Sequence, residues 1–154
     1  MPVEVNEAIT PVVFWRKELR PSSGGDGTYR GGHGQLVELA SLDGVPFTFS
    51  ATYERTVHPA RGREGGGDGR PGELRLLGRG EPVKPIGQTE VPAGERLLIA
   101  FPGGGGFGPP EQRSAAAIEA EVRAGLVDGP ERAAGGVGVE VRPKGGNGQT
   151  PARG

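Results

Sequence analysis

Glycine is gathered into three blocks, and this clustering constrains the fold more than any other feature. The first block is Pro21-Ser22-Ser23-Gly24-Gly25-Asp26-Gly27-Thr28-Tyr29-Arg30-Gly31-Gly32-His33-Gly34, the second runs over residues 58–72 (HPARGREGGGDGRPG), and the third over 103–110 (GGGGFGPP). With 31 Gly and 15 Pro among 154 residues, long uninterrupted helices are excluded, because glycine costs backbone entropy and proline removes a donor. Ordered elements must therefore be short and lie between the blocks. The apolar residues are also clustered, in short alternating runs that a fully disordered chain would lack.

Those runs read as strands. Residues 11–19 form one, with Val13, Trp15 and Leu19 on one face, and residues 35–40 form a second. In 45–53, Val45, Phe47, Phe49, Ala51 and Tyr53 alternate with polar residues, the pattern of a half-buried strand. Leu42-Asp43-Gly44 is a turn signal, so 35–53 is expected to be a hairpin. Leu74 and Leu76 mark a short strand, and Leu97, Ile99 and Phe101 mark another after the turn Pro92-Ala93-Gly94. Pro82, Pro85 and Pro92 exclude a helix between them.

After the third block the period changes. Ser114 is placed to cap a helix carrying Ala115, Ile118 and Val122 at helical spacing, and Gly125 stands where the helix should end. Glu119, Glu121 and Arg123 are expected on its solvated face. Val137, Val139 and Val141 form a last candidate strand, and 143–154 is expected to be a disordered tail. The expected fold is mainly β, a β-dominated α+β arrangement. It has short antiparallel strands, long glycine-rich loops and one C-terminal helix near 114–125, in a single domain over 1–142.

The net charge of −1 gives no footprint for nucleic acid, and the sparse arginines of Tyr29-Arg30-Gly31-Gly32 and Ala60-Arg61-Gly62-Arg63 do not make RNA-binding repeats. The absence of cysteine excludes disulfides and thiolate chemistry. No basic, apolar leader begins the chain, and no apolar run approaches the roughly 20 residues that span a bilayer. A cytoplasmic protein with no membrane partner is expected.

Gly103-x-Gly105-x-x-Gly108 satisfies a dinucleotide-binding pattern, but four consecutive glycines satisfy it trivially, and Pro109 and Pro110 separate it from the helix. Such glycines serve positive φ or close backbone approach, or present N–H groups as an anion-binding nest. The candidate motif is Gly24, Gly25, Gly31, Gly32, Gly103, Gly104, Gly105, Gly106 and Gly108. His58, and behind it His33, are the imidazoles available for acid–base work, yet no paired acid and base, activated nucleophile or metal cluster is visible.

Taken in order, the blocks resemble the hydantoinase B / 5-oxoprolinase family. Glu18 to Gly34 resembles that family's first glycine-rich stretch, and Glu54-Arg55 with His58-Pro59-Ala60-Arg61-Gly62 resembles the next. Lys84, Pro92-Ala93-Gly94-Glu95 and Phe101-Pro102-Gly103 through Pro110 resemble a third, and Val122-Arg123-Ala124-Gly125-Leu126-Val127 resembles a helix end. The resemblance implies the C-terminal portion of a B-type subunit, working with a hydantoinase A-type subunit that handles ATP and with the B-type portion absent from this chain. It implies a small cyclic-amide substrate opened by hydrolysis, or in some relatives a ketone that is carboxylated. It implies that any divalent metal is held elsewhere, leaving no cofactor or metal site in this chain. Two roles then stand side by side: a part of the hydrolase, in which His58 and Arg30 are the first catalytic candidates, or an assembly module of such a complex. A free-standing anion-binding β domain is the reading outside the family.

Overall fold

The computed structural model describes residues 2–127. The expected strand at 137–141 and the tail at 143–154 lie outside them. Six strands form, β1 (Val12–Leu19), β2 (Gln35–Ser41), β3 (Phe47–Thr52), β4 (Glu73–Leu76), β5 (Ile86–Val91) and β6 (Arg96–Ala100), flanked by helices α1 (Val3–Ile9) and α2 (Ala115–Arg123). The mainly β, antiparallel class expected from the sequence is the one found.

Four strands make one sheet in the order β1-β2-β6-β4, and β3 and β5 make a two-stranded ribbon, all antiparallel. Register explains the core. Phe14, Leu39, Leu97 and Leu76 are cross-strand partners in one row, and Val37, Ile99 and Leu74 in the next. Side chains alternate across a sheet, so both rows share a face. Against it lie Ala51 and Val91 from the ribbon, with Phe47 and Phe49 partly buried beside them.

Three expectations about these elements are corrected. The segment 35–53 is no hairpin: β2 lies between β1 and β6, while β3 pairs β5. The turn at Gly44 is present, with φ of 66°, but it passes the chain from one sheet to the other. In β1 the pairing slips between Phe14 and Arg16, so Trp15 is a bulge residue and Phe14 takes the inward position. Trp15 is 62% exposed and Leu19 is exposed too, with the Arg96 guanidinium 5.4 Å from the indole centroid. The third correction is a second helix, α1, near the N-terminus. Its Glu7 carboxylate accepts the Phe14 backbone N–H at 2.8 Å.

Helix α2 follows its sequence signals at both ends. The Ser114 side chain accepts from the Ala117 N–H. At the other end Gly125 has φ of 69°, its N–H donates to Val122 and that of Leu126 donates to Glu121, a Schellman closure.

Candidate functional site

The three glycine blocks meet in space as one sheaf of backbone segments beside the four-stranded sheet. Gly25 N–H donates to Gly104 at 2.9 Å, and Gly104 N–H donates to Gly32 at 2.8 Å. Gly106 donates to Gly67, Gly67 to Asp26, Gly103 to Arg70 and Arg70 to Ser23, each at 2.7–3.0 Å. Tyr29 and Phe107 exchange a reciprocal pair of bonds at 2.9 Å. The blocks thus pair many of their amides with one another.

Most of these glycines are required by proximity and not by conformation. A Cβ on Gly103 would lie 1.8 Å from the Ser23 carbonyl oxygen, and one on Gly105 would lie 2.2 Å from that of Arg61. Neither has positive φ. Gly108 is the exception within the motif, with φ of 75°. Gly32 is exposed, and a Cβ there meets nothing within 4 Å.

Polar side chains bolt this sheaf to its neighbours. The fully buried Ser23 hydroxyl donates to the Arg20 carbonyl at 2.6 Å and accepts the Gly34 N–H at 2.8 Å. The Arg20 guanidinium donates to the carbonyls of Pro71 and Phe101 at 2.8 and 3.2 Å. Burial and then the nearby Arg70 push its pKa below the ordinary arginine value, with Glu73 opposing. Arg30 bridges the Asp26 and Glu121 carboxylates, and Arg113 takes the second Glu121 oxygen. Arg113 also donates to the Thr28 carbonyl at 3.1 Å.

The predicted site residues therefore separate. All nine glycines of the motif belong to the sheaf. Arg30 lies within it, engaged by two carboxylates and partly buried. His58 stands exposed at the start of the second block and forms no ion pair among the described residues. His33 is half-buried, and its Nδ1 has no hydrogen-bond partner among the described residues. The N–H groups of Gly103, Gly104, Gly106, Phe107 and Gly108 donate to carbonyls and are engaged within the sheaf. Among the described residues no three His, Asp or Glu side chains gather as a metal site. What the sequence reading missed is Glu121, assigned to a solvated face and found clasped between two arginines. Its signal is visible only once Arg30, 91 positions away, is brought beside it.

One shallow cleft is lined by Ser50, Thr52, Tyr53, Glu54, Arg55, Phe101 and Pro102. Arg55 is held there at φ of 57°, a left-handed conformation uncommon outside glycine. The Tyr53 ring packs on Phe49 and Phe101, and burial raises its pKa above the ordinary tyrosine value.

The profile of the Hydantoinase B/oxoprolinase family matches residues 1–110. The chain belongs to the hydantoinase B/oxoprolinase family. Within it, 5-oxoprolinase 1 of Arabidopsis thaliana is 39% identical over 108 residues, 68% of this chain but 8% of the plant protein. Caprolactamase subunit beta of Pseudomonas jessenii is 37% identical over 132 residues, 81% of this chain and 22% of that subunit. The crystal structure of the ATP-dependent caprolactamase from Pseudomonas jessenii superposes with a TM-score of 0.68 at 29% identity, over 82% of this chain and 23% of that one. A nucleotide-free acetone carboxylase shares the fold, with a TM-score of 0.62 at 20% identity. This hydantoinase B/oxoprolinase chain spans about a tenth to a fifth of the length of these curated relatives. Among its described residues no helix is long and apolar enough to cross a membrane.

Proposed function

We propose that this chain is the C-terminal part, or a separate small subunit, of an ATP-dependent cyclic-amide hydrolase of the hydantoinase/5-oxoprolinase type. Its contribution is a rigid scaffold, and the reacting groups come from the A-type subunit and from the rest of the B-type subunit. The observation that carries this reading is that the family's glycine blocks spend their amides on one another, while Arg30 is spent on two carboxylates. A sheaf bonded in this way holds shape, and the N–H groups of Gly103, Gly104, Gly106, Phe107 and Gly108 are already committed to carbonyls. Its relatives include a 5-oxoprolinase and an ATP-dependent caprolactamase, which supports ring opening as the reaction class.

The test is recovery of the tagged full chain from its host, followed by ATP-dependent hydrolysis of 5-oxoproline, hydantoin and caprolactam by the recovered material. The expected result is turnover that requires larger partners and survives His58→Ala. Turnover by the purified chain alone, or its abolition by His58→Ala with assembly intact, would overturn the scaffold role.

A further inference from the structure

The cleft beside Arg55 combines two features that a purely structural role leaves unused. It lies where the end of β3 meets Phe101 and Pro102, just past β6, and its volume is about 530 Å³. One part of its lining is apolar, where the Tyr53 ring packs on Phe101 with centroids 5.4 Å apart. The rest is polar, from Ser50, Thr52, Glu54 and Arg55. The first feature is backbone strain. Seven described glycines take positive φ, whereas Ser22, Arg55 and Glu64 do so with a side chain, and of these three Arg55 alone lines the cleft. That conformation disfavours any residue with a Cβ, so glycine would suit the backbone better and the strain is tolerated for the guanidinium. The second feature is charge without pairing. Elsewhere neighbouring opposite charges close on each other, as Arg16 does on Glu18 and Arg75 on Glu73. Glu54 and Arg55 share one cleft, yet among the described residues neither side chain forms an ion pair, with the other or with any third group. A molecule carrying both charges would bridge that gap.

We propose that this cleft binds a small amino acid as its zwitterion, with the carboxylate on Arg55 and the ammonium on Glu54. A guanidinium offers a carboxylate two parallel hydrogen bonds, and the Ser50 and Thr52 hydroxyls line the same cleft as further donors. The hydrocarbon between the two charges lies against Tyr53 and Phe101, which supply the apolar contact that small-molecule sites need. The inference rests on the ring-opening reading above, because that reaction releases this class of molecule. Water adds across the cyclic amide: the C–N bond breaks, a C–O bond forms, the carbonyl carbon ends as a carboxylate and the nitrogen takes up protons to become an ammonium. The closed amide carries neither of those charges, so the cleft selects the opened product over the ring.

The experiment titrates the purified full chain with 6-aminohexanoate and with glutamate, the opened forms of caprolactam and 5-oxoproline, and follows its backbone amide signals by NMR. Hexanoate and hexylamine, each carrying one of the two charges, and inorganic phosphate are the comparisons. The expected result is saturable shifts centred on 50–55 and 101, with at least one amino acid binding about tenfold or more tightly than hexanoate or hexylamine. Equal binding of hexanoate or phosphate would make the cleft a simple anion site and overturn the proposal. Shifts that are absent, or that fall on other residues, would do the same. Arg55→Gly keeps the left-handed backbone and removes the guanidinium, so it should abolish the shifts while the denaturation midpoint stays level or rises. Lost binding in that variant is then not lost folding. Glu54→Gln should bring 6-aminohexanoate down to the affinity of hexanoate. Tight binding retained by either variant also overturns the site. Failure of the two readings is distinguishable. ATP-dependent turnover by the recovered material without amino-acid binding to the chain removes only the cleft, whereas such binding without turnover removes only the hydrolase assignment.

Discussion

At the scale of single residues, glycine acts here through the space it leaves. Gly105→Ala drives a methyl group into the Arg61 carbonyl, backbone against backbone, so neither side can give. The expected cost is about 3 kcal/mol or more, seen as a large fall in the denaturation midpoint. Gly32→Ala, in open space and without positive φ, should stay within about 0.5 kcal/mol of the parent. Equal stability of the two variants would show that the sheaf is not close-packed. Tyr53 supplies a pH dependence. Burial raises its pKa above the ordinary value of 10.0, so the unfolded chain ionises first as pH rises. The folded state then binds more protons, and the stability present below pH 10 is lost progressively above it. Tyr53→Phe should flatten that alkaline decline, measured as urea midpoints at neutral and alkaline pH. An unchanged slope would remove Tyr53 as its source.

Elements are held by different means. The sheet is an apolar two-layer contact, whereas α2 is attached by Glu121. Glu121→Ala leaves Arg30 with Asp26 alone and Arg113 without its carboxylate, so α2 should detach while the sheet survives. Hydrogen exchange is expected to rise across 115–123 with little change in β2 and β6. Uniform loss of protection would mean that helix and sheet unfold as one unit. Ser114→Ala should remove about 1 kcal/mol of helix stability through the lost cap. In β1 the bulge at Trp15 sets up a separate reporter. Arg96→Ala removes the cation over the indole and the partner of the buried Glu38, at a cost of about 1 kcal/mol for a pair whose arginine is substantially exposed. Trp15 fluorescence should shift with it, and an unchanged spectrum would deny the contact.

Across the whole molecule, rigidity should not follow the distribution of regular secondary structure. The glycine blocks contain almost no helix or strand, yet many of their amides are paired across the blocks. Native-state exchange should show Gly25, Gly104, Gly106 and Phe107 protected on the same scale as β2 and β6. Exchange at the rate of ordinary loops would show that the sheaf opens independently and cannot serve as a scaffold.

Much of this was legible from the chain. Alternation over 45–53 located β3, which spans Phe47–Thr52, the run ending at Phe101 located β6, and the Ser114 and Gly125 signals bounded α2, because caps and periodicity are local properties. The glycine blocks carried the family. Partners were not legible: alternation assigns a residue to a face without naming the neighbouring strand, so β2 and β3 were joined as a hairpin although they lie in different sheets. Nor does periodicity register a bulge: alternation puts Trp15 on one face with Val13 and Leu19, whereas the bulge leaves Trp15 exposed and packs Phe14 against the core. By itself the sequence determined where chain direction changes, which segments extend and which residues have no Cβ. Only the tertiary structure decided that the three blocks lie against one another, that many of their N–H groups pair there, and that α2 turns Glu121 inward and Ile118 outward. Those outcomes depend on contacts between positions far apart in the chain, and the physical choice between a buried apolar stripe and a paired carboxylate is made only where Arg30 and Arg113 meet the helix.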